Sequence, residues 1–246
     1  MSSAYGTAPK YSTSPRVDLE LKKLLPICGQ LKSGSEYKIF RVTRDKKNTP
    51  DPSAESGLFA EYPESIFLAN KPSLTALLSN FLDDVIEEGN TYPQLDKIGI
   101  NGFYDYYLSH DAFIFLKASS KLDECIRLET YDDYSFWESH VLGMFYIKPN
   151  FPGRACHICN GGFIVTPNSR NLGVAKQMGA AFIKIAPKLG YKASLFNLVF
   201  ETNKASLKVW RDLGFKETGR IPKAGNLKSH KEYVDAINFY YDFESM

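Results

Sequence analysis

The sequence predicts an α/β fold in which helices flank a mixed, mostly antiparallel sheet. Two observations lead to this prediction. The C-terminal half alternates strand-like and helix-like segments, with a strand at 193–200, a helix at 204–213 and a short strand at 215–220. Strand-like segments at 112–117 and 142–148 come before that series. Paired strands followed by alternating elements are typical of this fold class.

The elements of the N-terminal half follow from hydrophobic periodicity and from capping residues. We expect Ser73 to be the N-cap of a long helix that ends at Glu88, because Gly89 follows where a helix C-terminus favours glycine. The other predicted segments are a short helix at 19–25, a strand at 37–43, a loop at 48–57 and a helix at 102–108.

The remaining elements of the C-terminal half complete the predicted sheet. Residues 119–137 form a polar, acidic insertion between two strands. A strand at 156–165 leads into a helix at 170–189, which we expect to break near Pro187. A last strand covers residues 233–243.

Length, composition and charge limit the possible functions. The 246 residues suit one large domain, or a compact domain with an N-terminal extension, and the 14% of aromatic residues can fill a sizeable core. A net charge of +2 without a long basic run argues against a nucleic-acid partner. No apolar stretch approaches the roughly 18 residues of a membrane span, so no membrane partner is predicted either.

The first 16 residues are predicted to be a flexible leader, and residues 17–246 the folded domain with its N-terminal extension. The leader lacks the apolar region of a secretory signal. Its Ser, Thr and Tyr content, with Lys10 and Arg16 before the first acidic residue, faintly resembles a mitochondrial transit segment, but a disordered tail is preferred. Four cysteines in so long a chain favour a reducing compartment. We therefore expect a cytoplasmic location, with the mitochondrion as the alternative.

A turn that opens a helix is the first candidate binding segment. The strand at 163–165 is followed by a loop and then by residues 170–175 at a predicted helix N-terminus. Unpaired N–H groups and the helix dipole at such a place suit a pyrophosphate, and Gly173 lets the backbone approach a phosphate. The segment has too few glycines for a dinucleotide fingerprint and lacks the ending of a P-loop. An ordinary helix start is the structural alternative.

A second motif lies one helix and one strand further along the chain. The first motif contains Arg170, Gly173 and Ala175, and the second contains Asn203, Ser206, Leu207, Trp210, Leu213, Gly214 and Phe215. Together the two motifs resemble those of the GCN5-related N-acetyltransferase (GNAT) superfamily. The resemblance implies a GNAT fold with splayed strands around acetyl-CoA as co-substrate. It also implies that Phe163, Ile164 and Val165 hold the pantetheine arm, that Arg170, Asn171, Leu172, Gly173, Val174 and Ala175 hold the pyrophosphate, and that Asn203, Ser206 and Trp210 complete the site.

One residue departs from the common pattern of that superfamily. Many members have a tyrosine, which protonates the departing thiolate, where this chain has Trp210. An indole N–H donates hydrogen bonds but is not a usable acid. The proton must therefore come from solvent or another group, or the thiolate leaves stabilised by hydrogen bonds.

A narrower resemblance concerns the acceptor. Several collinear stretches are similar to fungal N-acetyltransferases that detoxify proline analogues such as azetidine-2-carboxylate, a branch that also has tryptophan at this position. They are residues 89–95, 142–150, 159–163, 189–192, 196–200, 202–203 and 234–237. The resemblance implies that Asn160 and Asn203 are catalytic, that Asn160, Asn197 and Leu198 bind the acceptor, and that the protein is a homodimer.

The implied reaction acetylates the secondary amine of a proline-like imino acid, such as azetidine-2-carboxylate, hydroxyproline or pyrroline-5-carboxylate. It would serve detoxification of toxic analogues and proline-linked stress tolerance. Two alternatives stay open. The acceptor is a primary amine of an amino acid, polyamine or peptide, or the chain is a non-catalytic acyl-CoA-binding module.

Simpler structural interpretations accompany the candidate residues. Asn160 beside two glycines is typical of a strand bulge, and Asn203 is typical of a helix N-cap. The aromatic run at 103–107 suits a core, an acceptor pocket wall or a dimer contact. Cys156 and Cys159 do not suggest zinc, because side chains three apart on a strand point to opposite faces and no second pair follows. Free thiols and no metal are predicted.

Overall fold

The computed structural model describes residues 15–44, 65–128 and 130–245. Within them, nine strands form one sheet in the order β1-β2-β4-β5-β6-β7-β9-β8, with β3 paired to β2. Neighbours are antiparallel except at β2–β3 and β6–β7, which confirms the predicted mixed, mostly antiparallel class. The strands are β1 (Ile27–Gln30), β2 (Glu36–Thr43), β3 (Ser65–Phe67), β4 (Asp111–Lys117), β5 (Val141–Pro149), β6 (Ile158–Val165), β7 (Ala193–Phe200), β8 (Lys216–Gly225) and β9 (Val234–Asp242).

Helices cover both faces of this sheet. They are α1 (Pro15–Leu24), α2 (Pro72–Glu88), α3 (Gly99–Tyr106), α4 (Ser120–Arg127), α5 (Tyr134–His140), α6 (Val174–Ile185) and α7 (Lys204–Asp212). Successive β5 residues point to opposite faces. Phe145 packs in a core with α1, α6 and α7, while Tyr146 packs in a second core with α2 to α5. The polar site described below lies between the two cores, since Trp210 of the first and Tyr146 of the second both line it.

The sheet opens between its two central parallel strands. β6 and β7 pair at two positions, Ile158 with Ala193 and Cys159 with Ser194, and then diverge. Further along, β7 bulges away from β9 after Phe196. The side chain of Asn238 donates a hydrogen bond of 2.8 Å to the Asn197 carbonyl in that bulge. Beyond the two pairs, the facing edges of β6 and β7 offer backbone N–H and C=O groups to the cleft between them.

The predicted polar, acidic insertion at 119–137 contributes helical segments to the fold. It forms α4 and the start of α5, and Trp137 is fully buried. Its Asp132 carboxylate accepts hydrogen bonds from the backbone N–H groups of Ser73 (2.6 Å) and Leu74 (3.2 Å). Ser73 is therefore not the N-cap of α2. Lys71 occupies that position without a side-chain cap, and a carboxylate from the insertion satisfies the orphan donors instead.

Other element boundaries shift by a few residues. The helix predicted from Arg170 begins at Val174, because Asn171 (φ 65°) and Gly173 (φ 85°) adopt left-handed backbone conformations that a helix excludes. α1 begins at Pro15, four residues before the predicted start, and β8 runs to Gly225. Residues 1–14 of the predicted leader and the predicted loop at 48–57 lie outside the described residues. None of the helices that the structure describes combines the length and apolarity that a bilayer crossing requires.

Candidate active site

The cleft between β6 and β7 contains a cavity of about 220 Å³. Segments from six parts of the chain line it, and both strands contribute to the lining. The lining residues are 91–93 after α2, Tyr106 of α3, Tyr146 of β5, 160–163 of β6, 196–200 of β7, and Asn203, Ser206 and Trp210 in or before α7.

The predicted pyrophosphate turn forms a helix N-terminus beside the cleft. Gly173 is the N-cap of α6 in a left-handed conformation, and a Cβ added there would meet no atom within 4 Å. Open space therefore adjoins the first N–H groups of α6, as anion binding requires. The side chain of Arg170 points elsewhere, because its guanidinium donates to Glu88 at 2.8 Å in an ion pair on the surface. Leu172 is exposed, Ala175 is half-buried, and Val174 is buried in the core.

The predicted pantetheine strand carries an aromatic side chain at the base of the cleft. The Phe163 ring lies 4.8 Å from the Trp210 ring and 5.9 Å from the Phe196 ring, measured between centroids. Ile164 points to the opposite face, where it is buried, and Val165 is half-buried. The N–H of Thr166 donates to the Leu142 carbonyl of β5 at 3.1 Å, so by alternation the backbone of Ile164 faces β5, whereas that of Phe163 and Val165 faces the cleft.

Two predicted acceptor residues present amides to the cavity, one from each strand. Asn160 Oδ1 accepts a hydrogen bond from the N–H of Gly161 at 2.8 Å. Asn197 exchanges two hydrogen bonds with Asn150, which follows β5: Asn150 Nδ2 donates to Asn197 Oδ1 at 3.0 Å, and Asn197 Nδ2 donates to Asn150 Oδ1 at 2.5 Å. The Asn197 side chain is thereby fixed in one orientation. Leu198 lies in the bulge and is partly exposed.

The start of α7 orients a hydroxyl toward the same cavity. Asn203 is the N-cap of α7, as its position predicted, and its Oδ1 accepts from the N–H of Ser206 at 3.1 Å. Trp210 Nε1 donates to Ser206 Oγ at 2.9 Å. Because the hydroxyl oxygen accepts from the indole, its proton is available for another acceptor. Trp210, which stands where many members of the resembled superfamily have a tyrosine, is thus hydrogen-bonded to a serine that lines the cavity.

Tyrosines wall the cavity on the face opposite the aromatic base, and sequence analysis did not single them out individually. Tyr106 and Tyr146 share a hydrogen bond of 3.1 Å between their hydroxyls. Burial raises the pKa of Tyr92 and Tyr146 well above the ordinary value, so both are neutral donors. A Cβ at Gly162 would lie 2.4 Å from Tyr146 Cε1 and 2.7 Å from Tyr92 Oη, so glycine is required for this close approach.

Lys148 is another residue that sequence analysis missed. It is the register partner of Asn160, so both side chains lie on the same face of the β5–β6 pair. Its Nζ lies 3.9 Å from the centroid of the Tyr106 ring and 4.4 Å from that of Tyr146. Burial lowers its pKa from the ordinary value to about 8. The signal that could have revealed it is the period of two along β5, which places Lys148 beside Tyr146.

A contact between distant segments joins two sides of this region. We call it the clasp: residues 87–90 at the end of α2 and residues 228–229 between β8 and β9. The N–H of Lys228 donates to the Gly89 carbonyl at 3.0 Å. Asn90 and Ser229 exchange two further hydrogen bonds, of 3.0 and 3.1 Å. A Cβ at Gly89 would lie 2.8 Å from Lys228 Cβ, so a side chain there would push the two segments apart.

The structure thus brings together Asn160, Phe163, Asn197, Leu198, Asn203, Ser206 and Trp210 around one cavity. Ile164, Val165 and the segment 170–175 do not line it, and lie along the strand and turn that lead away from it. The arrangement combines a helix N-terminus for an anion, an unpaired strand edge for amides, and a small polar chamber at the end of the cleft.

Comparison with known proteins gives consistent results. The model of the acetyltransferase (GNAT) family matches residues 100–215. The N-acetyltransferase aca1 of Schizosaccharomyces pombe is 40% identical over 183 residues, which cover 74% of this chain and 87% of that protein. Protein SPT10 of Saccharomyces cerevisiae is 26% identical, and the match covers 70% of this chain and 32% of that protein.

Solved structures share the fold. A GCN5-related N-acetyltransferase from Kribbella flavida superposes with a TM-score of 0.56 at 22% identity, covering 71% of this chain and 92% of its own. The putative acetyltransferase yncA from Salmonella typhimurium, solved with its cofactor acetyl-CoA, superposes with a TM-score of 0.54 at 12% identity, covering 70% of this chain and 90% of its own. At these identities the likeness concerns the fold alone.

Proposed function

Because the chain belongs to the acetyltransferase (GNAT) family, we propose that it transfers the acetyl group of acetyl-CoA to the secondary amine of a proline-like imino acid. The observation that carries the acceptor class is the small chamber of about 220 Å³ in which Asn160 and Asn197 face tyrosines. A chamber of this size, with fixed amides, suits a compact polar amine better than a peptide.

The donor side of the proposal uses the cleft and the turn that follows β6. The backbone of residues 163–165 holds the pantetheine amides as a neighbouring strand would, and the α6 N-terminus at residues 170–175 holds the pyrophosphate. Bound acetyl-CoA supplies an activated acetyl thioester. The open space beside Gly173 and the unpaired β6 edge support this placement.

The acceptor side uses the amides and the α7 start. Asn160 orients the acceptor nitrogen and donates to the oxygen that becomes negative in the transition state. The β7 bulge offers the backbone of Asn197 and Leu198 to the acceptor carboxylate. Asn203 lies beside the thioester, and the Ser206 hydroxyl, held by the Trp210 indole, donates to the departing sulfur.

Positioning supplies most of the rate in this mechanism. An asparagine does not titrate, so it cannot take a proton from the amine. The neutral acceptor nitrogen forms its bond to the acetyl carbon as the carbon–sulfur bond breaks, and the nitrogen loses its proton to water. A fixed Asn197 and a rigid tyrosine wall hold the amine at attack distance, which is the larger part of such catalysis.

A thiol-release assay with acetyl-CoA tests the proposal. The acceptor panel contains azetidine-2-carboxylate, 4-hydroxyproline, lysine, spermidine and a short peptide. We expect turnover on the two cyclic imino acids, and losses of about 100-fold or more in kcat/KM for Asn160→Ala and Asn203→Ala. Exposed Asn101→Ala on α3 is the matched control.

The outcomes separate the candidate functions. Turnover on lysine, spermidine or the peptide with none on the imino acids would replace the acceptor class with a primary amine. Binding of acetyl-CoA without thiol release for any acceptor would favour the non-catalytic module. Full turnover in both asparagine variants would refute their assigned roles.

A further inference from the structure

The ammonium group of Lys148 has no role in the mechanism proposed above. Its Nζ lies within 4.4 Å of the centroids of the Tyr106 and Tyr146 rings, and both rings line the cavity. Its register partner Asn160 lines the same cavity from β6. The half-buried Lys148 does not itself line the cavity, but its ammonium lies against the two tyrosine rings that form the cavity wall on the acceptor side.

The charge of Lys148 is poorly compensated by the protein. Within the described residues no carboxylate forms an ion pair with it, and ring faces are its contacts. Aromatic faces attract a cation but do not replace the full hydration that burial removes. A half-buried ammonium of this kind is typical of a site that a negatively charged ligand completes.

The cavity otherwise offers neutral groups to an anion. The side-chain amide of Asn197 is hydrogen-bonded to Asn150, and the backbone carbonyl of Asn197 accepts a hydrogen bond from Asn238. The β7 bulge therefore contributes backbone and neutral side chains. Backbone N–H groups bind a carboxylate well but carry no net charge, so a nearby cation adds an attraction that distinguishes a carboxylate from a neutral analogue.

We infer that Lys148 binds the carboxylate of the acceptor and so restricts the enzyme to amines that carry a carboxylate. This inference rests on the proposed function and deepens it. It assigns Lys148 a binding role, distinct from the orienting role of Asn160 and from proton transfer. Decarboxylated and amidated analogues of the acceptor are therefore poorer substrates, because they lack the negative charge that Lys148 binds.

The test compares two acceptors in three variants. The acceptors are azetidine-2-carboxylate and its carboxamide, and the variants are Lys148→Met, Lys148→Arg and the surface control Lys117→Met. We expect Lys148→Met to lower kcat/KM for the acid by about 10- to 100-fold, chiefly through KM, and for the carboxamide by less than about threefold. Lys148→Arg retains the charge and restores most of the activity on the acid. Circular dichroism and thermal melts verify that each variant folds.

The pH dependence gives a readout that a structural role would not change. Burial lowers the Lys148 pKa to about 8, so its charge is present below that pH and is lost above it. The wild-type to Lys148→Met ratio of kcat/KM for the acid therefore falls toward one above pH 8, and the titration of the acceptor cancels in the ratio. The groups around Lys148 are Tyr106, Tyr146 and Asn160, with His110 one residue before the β4 partner of Ile147.

Three results would overturn the inference. Equal losses on acid and carboxamide in Lys148→Met would show that the lysine acts on the amine or on the fold. A wild-type to variant ratio independent of pH would exclude a titrating contact. If wild-type enzyme acetylates no imino acid, the proposed function fails instead. The same comparison is then made with the best amine of the panel, and a best acceptor without a carboxylate also overturns the inference.

Discussion

Asn150→Ala should weaken acceptor binding although Asn150 does not line the cavity. The substitution removes both hydrogen bonds of the Asn150–Asn197 pair, at 3.0 and 2.5 Å. At about 1 kcal/mol net for each bond, the pair contributes about 2 kcal/mol of coupling. The freed Asn197 side chain then samples several rotamers, and we expect kcat/KM for the acceptor to fall about tenfold, which corresponds to about 1.4 kcal/mol. The KM for acetyl-CoA should change less than about twofold.

The assay is a double-mutant cycle with Asn197→Ala, measured by thiol release and by urea unfolding. Asn101→Ala, an exposed change on α3, reports the background effect of losing an asparagine. The coupling argument is refuted if the unfolding free energies of the single variants add within about 0.5 kcal/mol in the double variant. It is equally refuted if Asn150→Ala retains the wild-type kcat/KM for the acceptor.

Three further predictions follow from single residues. Trp210→Phe keeps one aromatic ring but loses the donor to Ser206, so kcat should fall about tenfold; because Trp210 is buried among aromatic rings, the smaller side chain should also lower Tm, and an unchanged kcat in stopped assays would exclude this bond from thiolate stabilisation. Gly173→Ala strains a φ of 85°, which should cost about 1–2 kcal/mol, lower Tm by about 2–8 °C in calorimetry and raise the KM for acetyl-CoA; an unchanged Tm would contradict the strain. Exposed Cys28 should react with a thiol reagent in the native protein, whereas Cys159 should react after denaturation, because burial raises its pKa; mass spectrometry of labelled peptides checks both, and native labelling of Cys159 would contradict its burial.

The strands could be predicted from sequence because each one carries a strong local signal. The strand predicted at 193–200 matches β7, and the pair 112–117 and 142–148 lies within one residue of β4 and β5 at each end. The cap of α2 could not be predicted in this way. Asp132 lies 59 positions from Ser73, and nothing local to either residue indicates that the two meet.

The residues of the candidate site fall into the same two groups: those with a recognisable sequence signal and those that depend on contacts between distant segments. Asn160, Asn197 and Asn203 were identified through motif resemblance, and the fold places them around one cavity. Lys148 and the tyrosine wall depend on the β5–β6 register and on the packing of α3, which are properties of paired segments. The splay of β6 from β7 is likewise a property of the pair. The sequence of one strand alone does not determine the residue at which its partner strand diverges from it.

The clasp has a consequence for the energetics of binding. The backbone pairs at Ile158 and Cys159 close one end of the cleft between β6 and β7. The clasp connects the end of α2 to the β8–β9 connection, near the residues that line the cavity. Both walls are therefore restrained before any ligand arrives. A ligand that enters such a frame spends little of its binding free energy on ordering the protein, and more remains for affinity and alignment. Breaking the clasp should therefore increase the entropic cost of ligand binding, although none of the groups in the lost hydrogen bonds would contact the ligand.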